Sequence, residues 1–77
     1  MNIDVSNDVV GISTVDEWKN GYYSGGPVPF VLNTDYIVHM EEIRIKTYPT
    51  TLITLSDDRI VILFGSVEEL KKKFQIK

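Results

Sequence analysis

Cysteine is absent from this chain of 77 residues, and histidine occurs once, as His39. The missing thiols exclude disulfide bonds, thiolate metal sites and cysteine nucleophiles. Zinc sites use three or four strong protein ligands, so one histidine among scattered carboxylates is a poor candidate. We therefore expect no bound metal, and a structural or surface role for His39.

Long hydrophobic runs are lacking as well. The longest extends from Ile60 to Phe64, far below the roughly 20 apolar residues that a membrane-spanning helix needs. No pattern of a secretory signal precedes Asp4. These observations predict a cytoplasmic protein with no transmembrane segment.

Positive charge is scarcer than negative charge, and the formal net charge is −3. An acidic balance disfavours binding to the phosphate backbone of nucleic acids. The lysine cluster Lys71, Lys72 and Lys73 falls at the end of an amphipathic segment, where positive charge suits the dipole of a helix. We interpret the cluster as a solvated helix end and expect no nucleic-acid partner.

Patterns that carry catalysis are also missing. Glu41 and Glu42 are adjacent in a strand-like segment, so they point to opposite faces and cannot act as one acid–base pair. Asp57-Asp58 is typical of a turn. Gly25-Gly26 is followed by proline and not by the helix that a phosphate loop requires. We therefore expect a protein that is not an enzyme and binds no cofactor.

What the chain does contain is a set of clear fold signals. Thr14 with Glu17, and Ser66 with Glu69, have the spacing of capping boxes, which mark helix starts. They predict a short helix over about residues 14–21 and an amphipathic helix that ends near Phe74. Two β-rich runs, 51–55 and 59–64, predict a hairpin whose apolar face comprises Ile53, Leu55, Ile60, Ile62 and Phe64. In the strand-like segment 36–46 the apolar residues change from one face to the other, which predicts a bulge or bend near Glu41-Glu42.

These signals predict an α+β fold. We expect a small, mostly antiparallel sheet with a short N-terminal helix and a C-terminal amphipathic helix packed on it. The chain is short enough to form a single domain, in which residues 1–24 are an extension and residues 25–77 form the hairpin and helix region. Tyr48-Pro49 marks a turn before the hairpin. The predicted core comprises Phe30, Leu32, Ile37, Ile53, Leu55, Ile60, Ile62, Val67, Leu70 and Phe74.

Aromatic residues around the first helix are the best candidates for a functional site. Trp18, Tyr22 and Tyr23 cluster there, and such side chains are enriched at interaction hot spots. Two interpretations remain open. The three residues form a protein interface, or Trp18 and Tyr22 hold the helix on the sheet as part of the core.

Residues 25–74 carry motifs that resemble the FlbD family of small flagellar proteins, also called swarming motility proteins. The matching positions are Phe30, Leu32, Asn33, Asp35, Ile37, Glu41, Glu42, Pro49, Thr51, Ile53, Thr54, Leu55, Ser66, Val67, Glu68, Glu69 and Leu70. Residues 1–24 have no counterpart in this pattern. The resemblance implies a non-enzymatic accessory protein that supports flagellar motor output through protein partners.

Three functions are therefore under consideration. The first is a protein-binding regulatory or accessory module of FlbD type. The second is an inhibitor encoded by a phage or mobile element that binds a host protein, which small size and acidic charge would suit. The third is a fragment similar to LytTR-type DNA-binding domains, suggested by Asp35-x-Ile37, a strand pair and Ser66-x-x-x-Leu70. Self-association is also expected, because exposed strand edges invite pairing.

Overall fold

The computed structural model describes residues 1–45 and 47–75, and this part of the chain forms seven strands and two helices. The strands are β1 (Asn2–Asp4), β2 (Val9–Thr14), β3 (Ser24–Gly25), β4 (Val31–Asn33), β5 (Ile37–Ile45), β6 (Tyr48–Leu55) and β7 (Arg59–Phe64). The helices are α1 (Val15–Lys19) and α2 (Val67–Phe74). The α+β fold expected from the sequence is thus confirmed.

Two antiparallel sheets organise these strands. Five strands form one sheet in the order β3-β2-β7-β6-β5, and β1 pairs with β4 in a small second sheet. Residues 1–24, expected to be an extension, contribute β2 to the interior of the larger sheet, where it pairs with β7. The two edges of that sheet are the two-residue strand β3 and the nine-residue strand β5.

The β6–β7 hairpin is present where the sequence predicts it. Asp58 adopts a left-handed conformation with φ of 66°, which Asp tolerates better than most residues. The carboxylate of Asp57 accepts a hydrogen bond from the backbone N–H of Arg59 at 3.2 Å, and the N–H of Asp58 donates to the carbonyl of Leu55. The side chain of Asp57 and the left-handed backbone of Asp58 therefore close this turn without an Asn-Gly pair.

Strand β6 is longer than expected, because Tyr48-Pro49 lies within it and does not form a turn. Pro49 has no N–H to offer to the neighbouring strand. Its carbonyl accepts from Gly65 N–H at 3.1 Å, and the Gly65 carbonyl accepts from the Thr51 hydroxyl at 2.9 Å. The hydroxyl of Thr51 thus supplies a hydrogen bond to the residue that follows β7, near Pro49, which has no N–H of its own to donate.

The irregularities of the sheet lie elsewhere than expected. A bulge was predicted at Glu41-Glu42, but the register of β5 against β6 shifts between Ile37 and His39. A second shift, in β2, falls between Val9 and Gly11. The two glutamates lie in regular strand and their side chains alternate between faces.

Both helices begin with the capping boxes that the sequence predicts. In α1, Thr14 Oγ1 accepts from the N–H of Glu17, whose carboxylate accepts from the N–H of Thr14. Ser66 and Glu69 make the same reciprocal contacts at the start of α2. Helix α1 ends at Lys19, two residues before the predicted boundary, and Gly21 follows with a positive φ of 77°.

The larger sheet is covered on both faces. We call the side that carries α2 and the β1–β4 pair the first face, and the side that carries α1 the second face. Buried residues of the first face are Val5, Val9, Leu32, Ile53, Leu55, Val61, Leu63, Leu70 and Phe74. Those of the second face are Leu52, Ile60 and Ile62. Successive residues of β6 and β7 therefore pack on opposite faces of the sheet, as the pleat of a strand requires.

The predicted core is largely confirmed. Seven of its ten residues are buried: Leu32, Ile53, Leu55, Ile60, Ile62, Leu70 and Phe74. The other three, Phe30, Ile37 and Val67, are half-buried. The prediction missed Val5, Val9, Leu52, Val61 and Leu63. The single apolar face predicted for the hairpin is wrong, because Ile53 and Leu55 pack on the first face whereas Ile60 and Ile62 pack on the second.

A hydroxyl group joins the end of β1 to the start of β4. Ser6 Oγ donates to the Asp4 carboxylate at 2.6 Å and accepts from Phe30 N–H at 2.8 Å. The Ser6 N–H also donates to Asp4 at 2.9 Å. These hydrogen bonds, from the side chain first and then from the backbone, hold the pKa of Asp4 below its ordinary value of 3.8.

This depressed pKa predicts a pH dependence of stability. Because Asp4 binds its proton less tightly in the folded state, its contribution is fully present above pH 3.8 and is lost as pH falls through the folded pKa. The variant D4N should remove this part of the acid dependence of the unfolding free energy. The variant S6A should raise the pKa of Asp4 and cost about 1–3 kcal/mol, because Phe30 N–H loses its partner. NMR titration of the Asp4 carboxyl carbon measures the pKa, and urea denaturation at several pH values measures the unfolding free energy. The variant N7A is the matched control.

Candidate protein-binding cleft

The segment that follows α1 folds back over the second face of the sheet. Ser13 Oγ donates to the Tyr22 carbonyl at 2.9 Å, and Gly21 N–H donates to the Trp18 carbonyl at 2.9 Å. The ring of Tyr23 then lies directly on Gly11, so that a β-carbon at that position would collide with it. The absence of a side chain at Gly11 is therefore what allows Tyr23 to reach the sheet.

An apolar cleft of about 280 Å³ opens beside Tyr23 on the second face. Its lining residues come from four strands and the segment after α1: Val10, Tyr23, Ile45, Tyr48, Thr50 and Phe64. The rings of Tyr48 and Phe64 meet edge to face, with centroids 6.4 Å apart. Tyr48 is 60% exposed and Phe64 is 49% exposed, so two aromatic side chains present apolar surface to solvent beside a cavity.

The cleft offers contact area and few polar groups. Thr50 is fully buried, and its hydroxyl already donates to the Ile43 carbonyl at 3.0 Å. None of the described residues that line the cleft is charged. Such a surface favours an apolar side chain of a ligand and has no group placed for acid–base chemistry.

The three residues predicted as an interface occupy different environments. Tyr22 is 57% exposed. Trp18 and Tyr23 are half-buried and pack against the second-face core, with ring centroids 6.0 Å apart. Of the three, only Tyr23 lines the cleft.

Tyr48 and Phe64 were not predicted as site residues. They lie on neighbouring strands, and the register pairs Thr50 with Phe64, which brings the two rings together on one face. The signal in the sequence is weak: each is an aromatic residue next to a strand breaker, Pro49 or Gly65.

A second cleft, of about 200 Å³, lies between α1 and the start of β7. The two charged residues that line it, Glu17 and Arg59, already make contacts within the fold. Glu17 caps α1, and Arg59 bonds the carboxylate of Asp57 at 2.6 Å while its guanidinium lies 5.8 Å from the centre of the Phe30 ring. We therefore regard this cleft as structural.

The remaining titratable residues are dispersed over the surface. His39 is exposed and pairs with Thr54 across the sheet. Glu42 reaches the N-terminus of α2, where its carboxylate accepts from Val67 N–H at 3.4 Å. Lys73 bonds the carboxylate of Asp8 at 3.0 Å. Across residues 1–45 and 47–75, no three His, Asp or Glu side chains lie close enough together to hold a metal ion.

No protein-family model, curated protein or solved structure matches this chain. Neither of the helices in the described part of the chain is long and apolar enough to cross a lipid bilayer.

Proposed function

We propose that this chain is a non-enzymatic protein-binding module, and that the apolar cleft of the second face is its binding site. The observation that supports the proposal most strongly is the exposed pair Tyr48 and Phe64 beside a cavity of about 280 Å³. Binding energy at protein interfaces concentrates on aromatic residues around such pockets. The resemblance of residues 25–74 to FlbD proteins supports a regulatory or accessory role, in the cytoplasm.

The chemistry of the cleft and the charge of the chain favour a protein over a small molecule or nucleic acid. Pockets for small-molecule ligands hold a few precisely placed polar groups that fix the orientation of the ligand, whereas this cleft is mostly apolar and the hydroxyl of Thr50 is already bonded to the Ile43 carbonyl. Single-stranded nucleic acids also stack on aromatic rings, but they require a positively charged groove, and the chain carries a net charge of −3. We therefore expect an apolar side chain of a protein partner to fill the cleft.

Affinity capture followed by titration tests the proposal. The wild-type protein is used to capture partners from the native host, and each identified partner is titrated against purified variants by calorimetry. We expect Y48A and F64A each to weaken binding by about 30-fold, the effect of losing a hot-spot residue of roughly 2 kcal/mol. The variant Y36A is the matched control, because Tyr36 is 52% exposed but does not line the cleft.

The variant W18A distinguishes the two interpretations of the first helix. Trp18 packs against the second-face core, so its removal should lower the unfolding free energy more than it lowers affinity. If Y48A and F64A bind as the wild type does, or if Y36A weakens binding equally, the cleft is not the binding site. A salt-sensitive gel shift with DNA would favour the LytTR-like alternative instead.

A further inference from the structure

The outer edge of β5 is a second feature of the fold that invites a partner. This strand extends over nine residues and, within residues 1–45 and 47–75, has a neighbouring strand, β6, on one side only. The opposite edge of the sheet, β3, is only two residues long. A long edge strand presents unpaired N–H and C=O groups that can form a ladder with another strand.

The direction of these groups follows from the hydrogen bonds of the sheet. Gly65 N–H donates to the Pro49 carbonyl, so the backbone groups of Pro49 face β7 and those of the next residue, Thr50, face β5. Thr50 pairs with Ile43. Because successive residues of a strand direct their backbone groups to opposite sides, Glu42 and Arg44 present theirs to the open edge.

The charges on β5 select one register for pairing with a second copy. In an antiparallel pair of identical strands, one residue lies opposite itself. A register centred on Glu41, Glu42 or Arg44 would place like charges directly opposite each other, which is unfavourable. A register centred on Ile43 instead places Glu42 opposite Arg44 of the second copy, and it does so twice.

The other registers of β5 are disfavoured by the backbone. Those centred on any of residues 37–40 would carry the ladder into the shift between Ile37 and His39, where β5 departs from regular pairing. A register centred on Ile45 would leave most of β5 unpaired, because Ile45 is the last residue of the strand. The register centred on Ile43 uses only the regular half of the strand. It also pairs Glu42 with Arg44, the two residues whose backbone groups face the open edge.

We propose that two copies of this chain pair antiparallel along the outer edges of β5, with Ile43 on the two-fold axis. The axis is perpendicular to the sheet, so two five-stranded sheets join into one and their second faces point the same way. Ile43 and Ile45 lie on that face, and Ile45 lines the cleft. The dimer therefore presents two clefts side by side, which would let a partner with two binding segments engage both.

Charge reversal tests the pairing in solution. Analytical ultracentrifugation should show a concentration-dependent dimer of twice the monomer mass of 8.8 kDa. The variants R44E and E42R should each raise the dissociation constant tenfold or more, because both ion pairs become repulsive. An equimolar mixture of R44E and E42R should form a heterodimer, and the double variant E42R/R44E should form a homodimer again. Circular dichroism melts confirm that each variant is folded.

Disulfide cross-linking tests the register independently. Because the chain has no native cysteine, only the introduced cysteine can form a disulfide bond. Opposed residues in an antiparallel pair have Cα atoms about 4.5–5.5 Å apart, within the range of a disulfide bond. The variant I43C should therefore form a covalent dimer on mild oxidation, whereas E41C should not. A monomer at all concentrations, a dimer insensitive to R44E, or preferential cross-linking of E41C would overturn the proposal. None of these outcomes depends on the cleft, which Y48A and F64A test separately.

Discussion

The variant F74A should leave a large fraction of the protein unfolded at 25 °C. Phe74 ends α2, is only 2% exposed and fills the first-face core. Replacing a buried phenylalanine with alanine costs about 3–5 kcal/mol. A domain of 77 residues has a total stability of roughly 4–12 kcal/mol, and a chain this small without disulfides should lie towards the lower end. Urea denaturation followed by circular dichroism gives the measurement.

The variant F64A is the matched control for this experiment. It removes the same side chain from a position that is 49% exposed, on the opposite face. We expect it to cost about 1 kcal/mol, mainly through the lost edge-to-face contact with Tyr48. Equal destabilisation by the two variants would show that α2 does not anchor the first face.

The variant G26A should also be strongly destabilising, by about 3 kcal/mol or more. A β-carbon at Gly26 would overlap the backbone carbonyl of Val9, and the backbone cannot move aside as a flexible side chain can. The N–H of Gly26 also donates to the Val10 carbonyl at 2.7 Å, so moving this segment outward would lengthen that hydrogen bond. Insertion of extra atoms into a tightly packed site commonly costs 1–3 kcal/mol even where side chains can adjust.

The neighbouring glycine supplies the control. A β-carbon at Gly25 would meet no atom within 4 Å, so G25A should change the unfolding free energy by less than about 1 kcal/mol. Thermal and urea melts of the two variants compare positions one residue apart. A stable G26A protein would mean that the segment before β4 can lie further from β2 than the structure shows.

Local signals account for the parts of the fold that were predicted. The capping boxes at Thr14 and Ser66 fix where the helices begin, since they satisfy backbone groups within four residues of sequence. The β6–β7 hairpin likewise depends on a short turn. The position of β2 could not be predicted in this way. Its pairing with β7 joins Val9 to Leu63, which are far apart in the sequence, and no motif in either strand indicates that the two strands are partners.

Burial on both faces was the main point that pattern analysis missed. The run from Ile60 to Phe64 has no polar residue, and continuous apolar strands are typical of sheets covered on both sides. The hairpin was nevertheless expected to have a single apolar face, because the helix predicted over about residues 14–21 was not assigned to the face opposite the C-terminal helix. Once α1 and Tyr23 lie there, Leu52, Ile60 and Ile62 are buried.

The candidate site was only partly predictable for the same reason. Tyr23 was selected because aromatic residues cluster near α1, which is a local feature. Tyr48 and Phe64 meet because the register of β6 against β7 places Thr50 opposite Phe64. A shift of one residue would turn Phe64 to the other face, and nothing in the local sequence excludes that shift.

The position of β2 inside the larger sheet also has a consequence for how the chain folds on the ribosome. This strand is translated before its neighbour β7, and Thr14 pairs with Arg59, which lies far along the chain. Contacts between such distant segments form only after the intervening chain has been ordered. An emerging polypeptide therefore exposes the hydrophobic residues of β2 until β7 has been translated, and this is the interval in which a chaperone could recognise it.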